Sequence, residues 1–170
     1  MPAPVSHSTP PGNTLKWIIA TCGGFGYAPI LPGTCGALWG IPLYMAATQA
    51  PEPWQSALIF AELLASCLVT LWLASWSEEY FGEEDSGKFV TDEVAGFLFT
   101  VLLFHRANIW VTILWAFPVT RAIDIIKIPP ARRLEYLPGG WGVLADDLLG
   151  SIYAAGLLHA VAAAQPSWFT

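Results

Sequence analysis

Residues 56 to 76, SALIFAELLASCLVTLWLASW, form an apolar run whose only charged residue is Glu62. At 1.5 Å per residue, a helix over such a run covers the roughly 30 Å hydrocarbon core of a bilayer. A chain containing this segment is predicted to be a helical membrane protein, and its composition agrees. Of 170 residues, 55% are hydrophobic and 12% charged, with a mean hydropathy of +0.53. A soluble domain carries about a quarter charged residues, and a disordered chain combines low hydrophobicity with high net charge, so both classes are excluded. At this length one domain is the default. The formal net charge of -6, with no basic run or stripe, argues against a nucleic-acid partner. Cys22, Cys35 and Cys67 show neither a disulfide framework nor a metal-binding spacing and read as small buried apolar residues.

Other segments are less regular. Residues 1 to 13 are polar and rich in Pro, Ser and Gly, unlike a signal peptide, and read as a loose tail. TLKWIIATC (14 to 22) is too short to span and is expected at the interface or within the fold. GALWGIPLYMAATQ (36 to 49) is expected to cross as a kinked span because of Gly40 and Pro42. LLGSIYAAGLLHAVAAA (148 to 164) is a further span, with small residues at 150 and 154 to 156 for close packing. Between them, VAGFLFTVLLF and IWVTILWAFPV flank HRAN (105 to 108). A mid-membrane Arg106 costs about 2.5 to 3.5 kcal/mol, and Asn108 favours a turn, so a short helical hairpin is predicted over 94 to 119. The expected fold is all-α, a polytopic bundle of about four to five spans over 14 to 170.

Five crossings place Lys16, Lys88, Arg121, Lys127, Arg132 and Arg133 on one side of the membrane and only Arg106 on the other. That bias predicts a cytoplasmic side holding residues 1 to 35, 77 to 93 and 120 to 147. The same side collects the acids at apolar boundaries: Asp92 with Glu93, Asp124, and Asp146 with Asp147. DEVAG (92 to 96) and DDLLG (146 to 150) repeat one pattern at the starts of helices that run the same way, with Gly96 and Gly150 allowing close approach. A single acid at a helix start is explained as a cap. Adjacent acids, repeated, repel one another and call for a cation; hard oxygen ligands suit Mg²⁺ rather than zinc.

Asp124 and Lys127 are three apart and share a helix face. Pro129 and Pro130 end that helix, and Arg132 and Arg133 follow. A salt bridge with flanking arginines accounts for these residues as well as does phosphate binding through the guanidinium fork. GGFGYAPILPGTCG (23 to 36), with Gly33 and Thr34, and LPGGWG (137 to 142), with Gly139 and Gly140, can each form an anion nest, although each alone is more often a turn. Neither continues as a nucleotide-binding P-loop. Glu62, inside a span, has no evident partner.

Taken together, GFGYAPILPGTCGAL, DSGKFVTDEVAG and RAIDIIKIPPARRLEYLPGGWGVLADDLLGSIYA resemble the phosphatidylglycerophosphatase A family over about residues 23 to 156. Departures fall at Thr120, Ile128 and Ala37, where the family usually has Phe, Pro and Ser, while every acid named above is present. The resemblance implies a bacterial inner-membrane enzyme that removes the terminal phosphate of phosphatidylglycerophosphate with Mg²⁺, giving phosphatidylglycerol and inorganic phosphate. Asp92, Glu93, Asp124, Asp146 and Asp147 are then expected to hold one or two Mg²⁺ ions, with Lys127 also catalytic. Lys127, Arg121 and Arg132, together with Gly33, Thr34, Gly139 and Gly140, are expected to receive the phosphate. Either water or an aspartate can serve as nucleophile in such a site. The competing readings are a small ion-coupled transporter, with Glu62, Asp92 and Asp147 lining its path, and a non-catalytic scaffold. The one-sided acids disfavour the first, and their clustering is left unexplained by the second.

Overall fold

The computed structural model describes residues 13–83, 86–106 and 108–169, so the polar tail expected over 1 to 13 lies outside the described residues except for Asn13. Every regular element among them is helical. In chain order these are α1 (Thr14–Ala20), a 3-10 turn (Phe25–Tyr27), α2 (Pro32–Ala37), α3 (Gly40–Ala47), α4 (Glu52–Phe81), α5 (Thr91–Leu103), α6 (Ile109–Ile126), α7 (Ala131–Leu134), α8 (Gly140–Ala164) and a closing 3-10 turn (Pro166–Phe169).

α5 is the axis of the bundle. Val94, Ala95, Gly96, Phe97, Leu98, Thr100 and Val101 are buried around its whole circumference, which is the pattern of a helix surrounded by others. α4, α6 and α8 pack around it and present apolar side chains outward: Phe60, Leu64, Leu68 and Trp72 from α4, Leu114 from α6, Leu157 from α8. In water such faces would be a liability; in lipid they are the solvent-facing surface. These three helices are the ones long and apolar enough to cross a membrane among the described residues.

That number is lower than the four to five expected. α5, with 13 residues, rises about 20 Å, short of the roughly 30 Å hydrocarbon core. The kinked span expected over 36 to 49 is also not formed. The chain breaks at Leu38 and Trp39 between α2 and α3, and the eight residues of α3 rise only about 12 Å. Gly40 has a packing reason instead, since a Cβ there would stand 2.5 Å from Phe97 Cδ1. α1 lies against α4, with Leu15 and Ile18 exposed and Lys16 Nζ 5.5 Å from the Trp72 ring centre.

The central hairpin is present. α5 ends at Leu103, and Asn108 starts α6 by accepting hydrogen bonds from the N–H groups of Trp110 (3.1 Å) and Val111 (3.3 Å). This cap satisfies two of the donors that every helix start leaves free. Arg106 sits in the turn, its backbone N–H donating to Thr112 Oγ1 at 2.9 Å.

Candidate active site

Of the two glycines predicted to allow close approach of α5 and α8, Gly96 lies at their crossing, in ordinary contact distance, and Gly150 does not. A Cβ on Gly96 would stand 3.6 Å from Asp147 Cβ, and Ser151 Oγ donates to the Gly96 carbonyl at 2.7 Å. On the other side of α8, Gly150 faces Ile123 of α6. Thr120 Oγ1 donates to its own helix at Ala116 O (2.7 Å) and lies 2.9 Å from Thr100 Oγ1, tying α6 to α5. This packing gathers the first turn of α5, the last turn of α6 and the second turn of α8 at one end of the bundle; α8 begins at Gly140, so Asp146 and Asp147 do not open their helix as expected but stand six and seven residues into it.

One pocket of about 190 Å³ results, and all five acids line it: Asp92, Glu93, Asp124, Asp146 and Asp147. Lys127 and Gly33 also border it. Carboxylate oxygens of Glu93, Asp124 and Asp147 lie within 4.8 Å of one another. Asp147 Oδ2 and Asp146 Oδ1 are buried without a hydrogen-bond donor. Buried acceptors are costly to leave unsatisfied, and oxygen atoms so placed are the donor set that a hard cation takes. Five carboxylates face two basic groups, Arg121 and Lys127, an excess of three negative charges when all are ionised.

The two basic groups are held differently. Arg121 is buried and forks onto Glu93, with Nη2 donating to Glu93 Oε1 at 3.0 Å and Nη1 pairing with Oε2. Nη2 also pairs with Asp124 at 3.1 Å, and Nε donates to Thr34 Oγ1 at 3.2 Å. Arg121 therefore braces two of the converging acids, and Thr34 of α2 braces Arg121. Lys127 closes α6 in the left-handed region, φ +49°, at a cost of about 1–2 kcal/mol for a residue with a Cβ. That turn points its ammonium at Asp146 (2.9 Å) and Glu135. Burial works to lower the Lys127 pKa, but hydrogen bonds to Glu135 and Asp146 outweigh it and hold the ammonium above its ordinary value. At the first turn of α5, burial pushes Glu93 up to about 7; Arg121 pulls against this and Asp124 adds to it.

Of the remaining nominated residues, Gly33 is at the pocket and Gly139, Gly140 and Arg132 are placed elsewhere. Gly33 presses on the acids, because a Cβ there would collide with Glu93 Oε1. Gly140 faces α4, where a Cβ would stand 2.6 Å from Ala74 Cβ, so its size serves helix packing. Gly139 turns the chain at φ +61° with open space around it, and neither glycine borders the pocket. Arg132 is exposed on α7. Glu135 was not nominated from the sequence; lying eight residues after Lys127 across a helix break, it offers no periodic signal of its contact.

A pocket of clustered carboxylates with a lysine at its rim, at one end of an apolar bundle, is an arrangement suited to phosphate chemistry at a lipid surface. The family model described as phosphatidylglycerophosphatase A matches residues 18–162. The chain is 30% identical over 145 residues to the Escherichia coli (strain K12) "Phosphatidylglycerophosphatase A", covering 84% of this chain and 81% of that protein. It is 34% identical over 142 residues to the Haemophilus influenzae protein of the same name, covering 81% and 84%. It is also 32% identical over 146 residues to a Bacteroides thetaiotaomicron protein named "Putative phosphatidylinositol-3-phosphatase", covering 82% and 89%. No solved structure matches it at a significant level. With the family model running from α1 to the last turn of α8 and so taking in every acid of the pocket, the chain belongs to the phosphatidylglycerophosphatase A family.

Proposed function

We propose that the chain hydrolyses the terminal phosphate of phosphatidylglycerophosphate, giving phosphatidylglycerol and inorganic phosphate, in a Mg²⁺-dependent reaction at the cytoplasmic face of a bacterial inner membrane. The observation that carries the Mg²⁺ reading is the convergence of Glu93, Asp124 and Asp147 within 4.8 Å, with the buried Asp147 Oδ2 lacking a donor. Glu93, Asp124 and Asp147 would hold the ion, with Asp92 and Asp146 bordering the same pocket. Bound there, Mg²⁺ supplies Lewis acidity toward the phosphoryl oxygens and a lowered pKa for bound water. The chain's own residues do the rest. Lys127 presents a permanent positive charge to the incoming phosphate, Arg121 fixes the orientation of Glu93 and Asp124, and Gly33 leaves Glu93 the room it occupies. A phosphate group enters an excess of three negative charges only against a compensating cation, which supports the metal dependence. Six of the seven basic residues lie on the side of the chain that carries the acids, which supports the cytoplasmic orientation.

The test is phosphate release from phosphatidylglycerophosphate by the purified protein, with Mg²⁺ and with chelator, for wild type, Asp92→Asn and Asp147→Asn. Metal-independent turnover, or full activity in both variants, removes the mechanism. The similarity to the Bacteroides protein makes phosphatidylinositol 3-phosphate the competing substrate in the same assay. A preference for that lipid would replace the assignment of the head group.

A further inference from the structure

A second, larger cavity of about 390 Å³ lies on the other side of the first turn of α5. Its wall is apolar side chains of α1, α3, α4 and α5, among them Ile19, Leu43, Val69 and Val94, and the one charged residue that lines it is Glu62. Thr91 and Val94 border this cavity, while Asp92 and Glu93, between them in sequence, border the acid pocket. The two spaces therefore share the α5 first turn as a common wall. The larger one has the size of a small-molecule site. Its exposed rim at Ala65, on the outward face of α4, opens it toward the lipid.

Glu62 sets a depth. Thr70 Oγ1 donates to Thr91 Oγ1 at 3.0 Å, which fixes residue 70 of α4 at the level where α5 begins. Glu62 lies eight residues before Thr70 in α4, about 12 Å deeper into the membrane. Its Oε2 is buried with no hydrogen-bond partner, an arrangement that is costly in an apolar wall unless a ligand completes it. A phospholipid whose terminal phosphate lies in the acid pocket has a glycerol and a second phosphate before its ester groups, and this extended head group reaches a comparable distance.

We propose that the cavity seats the glycerol backbone and upper acyl chains of the phospholipid whose phosphate is cleaved at the acid pocket, with the Glu62 carboxyl hydrogen bonded to the ester region. This rests on the phosphatase reading above. It makes Glu62 a specificity-determining residue and gives the α4 face a role in selecting two-chain lipids.

The experiment compares kcat and KM for dioleoyl phosphatidylglycerophosphate and for its deacylated head group, in wild type, Glu62→Gln, Glu62→Leu, Ala65→Leu and Val69→Trp. Wild-type hydrolysis of the dioleoyl lipid tests the phosphatase reading by itself; no turnover there fails that reading, whatever the variants do. Given turnover, Val69→Trp and Ala65→Leu fill the cavity and are expected to raise KM for the lipid at least tenfold, with kcat held within about threefold. Glu62→Leu is expected to raise it about fivefold to tenfold, and Glu62→Gln, which keeps a donor, less than threefold. Discrimination between the lipid and the head group should shrink in step. An unchanged lipid KM in Ala65→Leu and Val69→Trp, with melting temperatures equal to wild type, overturns the proposal. So does a fall in kcat with KM unchanged, which is the signature of a merely structural role.

Discussion

Replacing Gly33 with alanine asks whether the acid pocket acts as a rigid unit. The added Cβ would overlap Glu93 Oε1 and stand 2.9 Å from Glu93 Cδ and 3.0 Å from Arg121 Nη2. Heavy atoms not bonded to each other settle at about 3.5–4.0 Å, so the Glu93 carboxylate has to retreat by at least ~1 Å. Arg121 moves with it, because the same guanidinium holds Glu93, Asp124 and Thr34. A displacement of ~1 Å in a positioned group costs ~10²-fold in rate, or about 2.7 kcal/mol of transition-state stabilisation. The assay is the initial rate of phosphate release from phosphatidylglycerophosphate in mixed micelles at saturating Mg²⁺. Gly156→Ala is the matched control, since nothing lies within 4 Å of a Cβ added there. Gly33→Ala is expected to lose ~100-fold in kcat while Gly156→Ala stays within about twofold of wild type. If Gly33→Ala retains more than about a third of wild-type kcat at an unchanged melting temperature, the placement of Glu93 does not govern turnover and the reasoning fails.

Asp147→Asn removes one of the three converging carboxylates and is expected to cut kcat by at least ~100-fold and to raise the Mg²⁺ concentration needed for half-maximal activity, read from metal titrations. Because burial raises Glu93 to about 7 in the metal-free chain, Mg²⁺ has to displace a proton below that pH. Apparent Mg²⁺ affinity should therefore rise between pH 6 and 8 by up to about tenfold per unit and then level off, and a flat profile counts against Glu93 as a ligand. Lys127→Met leaves Asp146 buried without its cation and is expected to lower stability by about 1–3 kcal/mol, measured as thermal unfolding in detergent. The folded Lys127 pKa is raised, so its contribution is fully present below the unfolded value near 10.4 and is lost only as pH rises through the folded value. The gap between wild type and Lys127→Met should accordingly stay constant from pH 7 to 9, and a gap that closes over that interval would contradict the pairing. Arg121→Lys keeps a charge but not the fork and is expected to lose ~10-fold or more in kcat.

The helical class and the grouping of the acids could be read from residues alone, because both depend on local pattern. An apolar run with one charge specifies a span, and repeated acid pairs followed by glycine mark two helix segments that lie side by side, although only Asp92 and Glu93 stand in a first turn and α8 begins at Gly140, ahead of its acids. The hairpin was readable for the same reason, since Asn108 carries its own capping chemistry. The number of spans was not readable. Hydropathy cannot tell the lipid-facing surface of α4 from the protein-buried circumference of α5, and the short α5 owes its apolar composition to burial among other helices. The partner of Arg121 was equally hidden. A basic residue near acids fits phosphate binding and acid bracing alike, and only the approach of Thr34 and Glu93 from α2 and α5 distinguishes them. The LPGGWG glycines looked like an anion nest by composition, whereas Gly140 and Gly142 are small because α4 and the carbonyls of Glu135 and Leu137 leave no room.

The last of the long helices carries a consequence for biosynthesis. Glu93 and Asp124 come from α5 and α6, but Asp146 and Asp147 lie in α8, the last long helix among the described residues. Until α8 inserts against α4, α5 and α6, the chain has only part of its carboxylate set, and α5 lacks the neighbour that covers its Gly96 face. A chain that lacks α8 thus lacks two of the five carboxylates of the pocket, and the pocket is complete only once α8 has docked.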